Sequence, residues 1–104
     1  MTNIENIKNK IIEQIKTVYD PEITVNIFEL GLIYNISVDE ELNVKILMTV
    51  TAPNCPVADT LPMEVKNAVE QVSEIKSIWV ELTFDPPWTP ELMTDAAKIE
   101  LGLF

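Results

Sequence analysis

The chain has 104 residues, enough for one domain with one hydrophobic core, and its 47% apolar content is ordinary for a globular protein. Seventeen acidic residues face seven lysines, with neither Arg nor His, for a formal charge of -10. That balance excludes nucleic acid and anionic membrane surfaces as partners, because both are polyanions held mainly through Lys and Arg. The single cysteine excludes an internal disulfide and fits a reducing compartment. The start Met1-Thr2-Asn3-Ile4-Glu5 lacks a basic stretch followed by an apolar run, so a cytoplasmic location is expected.

Ile4, Ile7, Ile11, Ile15 and Val18 recur at three- and four-residue spacing, which predicts an amphipathic first helix ending near Tyr19-Asp20-Pro21. The stretch from Glu22 to Gly31 has no clear period and reads as a loop with a helical turn around Asn26 to Leu30. From Leu32 the period becomes two. Leu32, Tyr34, Ile36 and Val38 point one way, with Ile33, Asn35 and Ser37 opposite. After the turn at Asp39 to Leu42, Val44, Ile46, Met48 and Val50 alternate with Lys45, Leu47, Thr49 and Thr51, and the two strands form an antiparallel hairpin.

Val57, Ala58, Leu61, Val65, Ala68, Val69 and Val72 return to helical spacing, starting either at Pro56 or only near Thr60, since Pro62 interrupts the pattern. Ile78, Val80, Leu82 and Phe84 make a third strand against Trp79, Glu81, Thr83 and Asp85. Thr89 is the expected N-cap of a last helix, with Pro90 at its first position and its end at Gly102. The fold class is therefore α+β, a small two-layer single domain spanning residues 1–104 in the order α-β-β-α-β-α. Its helices pack on one face of a three-stranded sheet. On the opposite face Ile33, Leu47 and Trp79 are interface candidates, unless the C-terminal segment covers them.

Cys55 sits in Thr51-Ala52-Pro53-Asn54-Cys55-Pro56, where a strand pattern gives way to a helical one. At a helix start its thiolate would be favoured; buried among apolar groups it would be inert, which composition alone favours. No His is present to activate it, and no second Cys makes a redox pair. One thiolate cannot complete a site that takes four ligands. What remains is a packing residue or a partial, exchangeable metal contact, completed by carboxylates or by a second copy in a homodimer. Asp20, Glu22 and Asp85 are loop carboxylates whose first reading is as caps or solvated charges.

Five segments carry a resemblance. They are Tyr19-Asp20-Pro21-Glu22-Ile23, Val25-Asn26-Ile27 through Leu30-Gly31-Leu32-Ile33-Tyr34, Met48 to Pro53 with Cys55-Pro56, Leu82 to Thr89, and Ala97 to Gly102. In that order the chain resembles the SufT/PaaD-like metal-sulfur cluster assembly factors. The resemblance implies a compact α/β fold and a non-enzymatic role in iron-sulfur protein maturation. It makes Cys55 the reactive or metal-associated residue, with Asp20 and Glu22 of the matching Asp-Pro-Glu segment as the best candidates for its surroundings; Asp85, at the end of the third strand, is a further candidate neighbour.

Partners would be iron-sulfur client or carrier proteins, with no permanent cofactor and a transient cluster or iron as cargo. Thr24 stands where the family commonly has Pro, and Asn54 where Gly is common. Asn tolerates left-handed backbone, so the turn survives. Two other readings stand beside this one. The first is an accessory subunit of a multicomponent phenylacetyl-CoA-type oxygenase, whose relatives tend to carry a further Cys-bearing segment beyond the position of Phe104. The second is a pure protein-protein adaptor.

Overall fold

The computed structural model describes residues 4–19, 25–50 and 60–102. Helix α1 (Ile4–Ile15) buries Ile7, Ile11 and Ile15, the four-residue spacing that stacks side chains on one helical face. It ends earlier than the apolar period suggests. Thr17 and Val18 make tighter bonds back to Gln14 and Ile15, and the Val18 carbonyl accepts instead from the Ile27 amide at 2.9 Å. Tyr19 and Asn26 form an isolated antiparallel bridge beside it.

Strands β1 (Ile33–Val38) and β2 (Asn43–Met48) form the expected antiparallel hairpin, and β3 (Ser77–Leu82) runs parallel to β2, giving a mixed sheet in the order β1-β2-β3. The hairpin turn is held by Asp39, whose carboxylate accepts from the Glu41 and Asn43 amides at 3.0 and 2.8 Å. Those bonds hold its carboxyl below the usual range, with the Asn43 amide the largest cause. Leu42 takes the left-handed conformation there, with φ of 67°.

Helix α2 (Leu61–Val69) packs on β3 and α1, turning Leu61, Val65 and Val69 into the core that also holds Val44, Ile46 and Met48. Each such Leu or Ile, fully removed from water, contributes on the order of 1.5–3 kcal/mol. Pro62 falls in the first turn of α2, where its missing N–H has no helical partner to lose. Pro56 lies outside the described residues.

Two expectations need correction. Register places Ile33 across from Met48 but Asn35 across from Leu47, so Tyr34 is an extra residue in β1 and the strand carries a bulge. Ile33 is thereby carried onto the face of Met48, where it packs against the core; it does not share a face with Leu47 and Trp79. The last helix also starts later than expected. Thr89 precedes only a 3-10 turn (Pro90–Leu92) and makes no side-chain cap. Thr94 is the N-cap of α3 (Asp95–Glu100), its hydroxyl accepting from the Ala97 amide at 3.2 Å. The end is as expected, with Gly102 at φ 73° just past the helix.

β3 is shorter than its alternation suggests, leaving Thr83 to Asp85 outside the strand and Phe84 exposed. Trp79 is 64% exposed, so the C-terminal segment does not cover it.

Candidate functional site

Because β1 is antiparallel to β2 and β3 is parallel to it, the start of β1 and the ends of β2 and β3 meet at one end of the sheet. Ladder bonds continue there past the strands: the Thr49 amide donates to Leu32 and the Thr83 amide to Met48, both at 2.8 Å. Val50, 2% exposed, is the last described residue after β2 at this end, and the description resumes at Thr60, directly before α2; Cys55 lies outside the described residues. Asp20 and Glu22, like Cys55, lie outside the described residues.

Asp85 is described, and it stands at this end. Its amide donates to the Thr83 hydroxyl at 3.2 Å, and the Asp85-Pro86 peptide bond is cis. The bulge residue Tyr34 donates its hydroxyl to the Pro86 carbonyl at 2.7 Å. Burial pushes the Tyr34 phenol above its ordinary value; the neighbouring Thr49 hydroxyl opposes that shift and the Asp85 carboxylate adds to it. Thr49 is itself 1% exposed. Tyr34, Thr49, Asp85 and Pro86 thus form a polar cluster at the strand ends.

The turn before β1 is built for close approach. Asn26 accepts from the Glu29 amide at 3.0 Å, opening one helical turn. Gly31 closes it at φ 80°, with the Leu32 amide bonded to Ile27 and the Gly31 amide to Phe28, a Schellman pattern. A side chain at Gly31 would also collide with the Leu92 backbone carbonyl. The C-terminal segment clasps this turn. Trp88 Nε1 donates to the Leu30 carbonyl at 2.7 Å, the Thr94 amide to the Glu29 carbonyl at 3.0 Å, and the Thr94 hydroxyl to the Glu29 carboxylate. Between turn and α3 lies an open cleft of about 330 Å³ lined by Tyr19, Val25, Asn26, Glu29, Ala97 and Glu100, among others.

Of the other proposed residues, Leu47 and Trp79 share the open face of the sheet, Leu47 beside Glu81 and Trp79 beside Lys45. Among the described residues no cluster of three or more His, Cys, Asp or Glu is arranged to hold a metal ion. Tyr34 and Thr49 were missed as site residues, since plain alternation makes Tyr34 a core-facing strand residue. Their one sequence signal was the tandem proline after Asp85, which marks a rigid corner near the strand ends.

Comparison with known proteins identifies the family. Residues 8–82 match the model of the iron-sulfur cluster assembly protein family. An Fe-S protein maturation auxiliary factor of Porphyromonas gingivalis is 47% identical over 88% of each chain. The Fe-S protein maturation auxiliary factor SufT of Staphylococcus aureus is 37% identical over 83% of this chain and 98% of its own. The solved structure of a domain of unknown function, DUF59, from Bacillus anthracis superposes with a TM-score of 0.88 at 39% identity, covering 96% of this chain and 95% of its own. The chain belongs to the iron-sulfur cluster assembly protein family and is SufT-like within it.

Proposed function

We propose that the protein is a non-enzymatic, cytoplasmic factor in iron-sulfur protein maturation that touches its cargo transiently through the Cys55 thiolate. The observation that carries this reading is the match to a cluster assembly family over residues 8–82, together with near full-length relatives named as maturation auxiliary factors. Chemistry narrows the role of the thiol. With no His and no second Cys in the chain, Cys55 has neither a base to make it a catalytic nucleophile nor a partner for redox cycling. A lone thiolate supplies one ligand of four, so cargo held this way exchanges readily to a client or carrier that supplies the rest. Asp20, Glu22 and Asp85 are the carboxylates proposed to surround it.

Anaerobic incubation with iron and sulfide, followed by absorption and Mössbauer spectra, tests the contact. The wild type is expected to give thiolate-to-iron charge-transfer bands that Cys55→Ser lacks. Identical spectra would remove Cys55 as a ligand, and full client activity in cells carrying Cys55→Ser would remove its role in maturation.

A further inference from the structure

The two edges of the sheet are not alike. β1 is interrupted by its bulge and shows Asn35 and Ser37 on the open face. β3 pairs with β2 without irregularity from Ser77 to Leu82, carries one charged residue, Glu81, and has no strand on its other side among the described residues. Such an edge presents unpaired backbone donors and acceptors, which proteins ordinarily blunt with charges, prolines or bulges. β3 has no proline and no bulge.

The edge lies in a groove. Pro62, Met63 and Lys66 of α2 form one wall, and Ile78, Trp79 and Val80 of β3 the other, around about 260 Å³. A further cleft of about 360 Å³, lined by Lys66, Glu70, Ile75, Lys76, Ser77 and Ile78, continues from it, so that two lysines face one carboxylate there. Met63 and Trp79 are each 64% exposed, on opposite sides of the strand edge. Lys66 makes no ion pair among the described residues.

We infer that β3 accepts an extended segment of a protein partner, added as a fourth strand, apolar at alternate positions and carrying a carboxylate opposite Lys66. A backbone edge selects an extended occupant, because only a strand can pair its donors and acceptors in series. Side chains on one face of that strand meet Pro62 and Met63, and those on the other meet Trp79. The cationic Lys66 in a chain of charge -10 selects an acidic residue at that point. The same charge disfavours a second copy, since two such chains repel.

Panning a phage-displayed library of random peptides against the full chain, then adding the enriched peptide to isotope-labelled protein, tests the inference. Enriched peptides are expected to alternate apolar residues and to contain Asp or Glu. They should slow amide exchange in Ile78 to Leu82. Trp79→Lys and Met63→Glu, both at exposed positions, should each weaken binding about tenfold or more, equivalent to roughly 1.4 kcal/mol. Lys66→Glu should shift the selected peptides toward basic residues, and Cys55→Ser should bind unchanged, which separates this surface from the thiol.

Three results would overturn it. One is enriched peptides with helical spacing, or none that protect β3. Another is a dimer of the free chain by sedimentation that Trp79→Lys dissolves. The third is β3 amides protected on this edge in the free monomer.

Discussion

The indole of Trp88 donates to the carbonyl of Leu30 at 2.7 Å, fastening the segment after β3 to the turn that leads into β1. Fifty-eight positions apart in sequence, the two residues make the corner at which the strand ends converge. Trp88→Phe keeps most of the ring's packing and leaves the Leu30 carbonyl without its donor, at a cost of about 1–3 kcal/mol. Urea denaturation checks this, and an unchanged midpoint would show the bond to be dispensable.

Gly31 is required twice, by its φ of 80° and by its contact with the Leu92 carbonyl. Gly31→Ala therefore costs more than the roughly 1–2 kcal/mol of a left-handed conformation alone. Thermal melts of this variant should fall well below those of Gly102→Ala. Gly102 has a similar φ but open space around it.

Thr94 caps α3 and also bonds Glu29, whereas Thr89 makes no side-chain cap. Thr94→Ala is expected to cost about 0.5–2 kcal/mol. Thr89→Ala should stay within about 0.5 kcal/mol of wild type. The reverse order in a denaturant series would restore Thr89 as the cap.

The Tyr34 phenol is raised above its ordinary value, first by partial desolvation and then by the Asp85 carboxylate, against an opposing Thr49 hydroxyl. A raised folded-state value means that the folded protein holds the proton more tightly, so the contribution is complete below the unfolded value of about 10 and declines as pH rises above it. Stability of the wild type should therefore fall through the alkaline range more steeply than that of Tyr34→Phe. Parallel curves for the two would remove Tyr34 as the cause.

Asp39 and Glu74 are depressed, Asp39 by the Asn43 amide first and Glu74 by the bond from Lys10 first. Their contributions are present above the unfolded values and are lost as pH falls through the lower folded ones. Acid titration of Asp39→Ala should show a shallower loss of hairpin amide protection than the wild type, and an equal slope would contradict the role of this turn.

Much of the fold was legible in the chain. Ile7, Ile11 and Ile15 announce α1, and the alternation through Ile46 and Met48 announces β2, because burial of one face imposes the period of each element. Plain alternation misplaces Ile33 because a bulge inserts one residue and carries Ile33 to the opposite face, and no local pattern marks the inserted Tyr34. Thr94 was passed over for Thr89 because both precede helix-compatible residues. What separates them is Glu29, 65 positions away, which bonds the Thr94 hydroxyl.

The thiol chemistry open to this protein was determined by the sequence alone: one Cys, no His and a charge of -10 restrict it whatever the fold. Which strands share an end was decided only in three dimensions. The parallel pairing of β3 with β2 brings Asp85 near Tyr34, and among the described residues it leaves β3 at the sheet's edge with Trp79 in the open. Pairing direction and register arise from contacts between residues far apart in the chain, and a one-dimensional period carries no record of them.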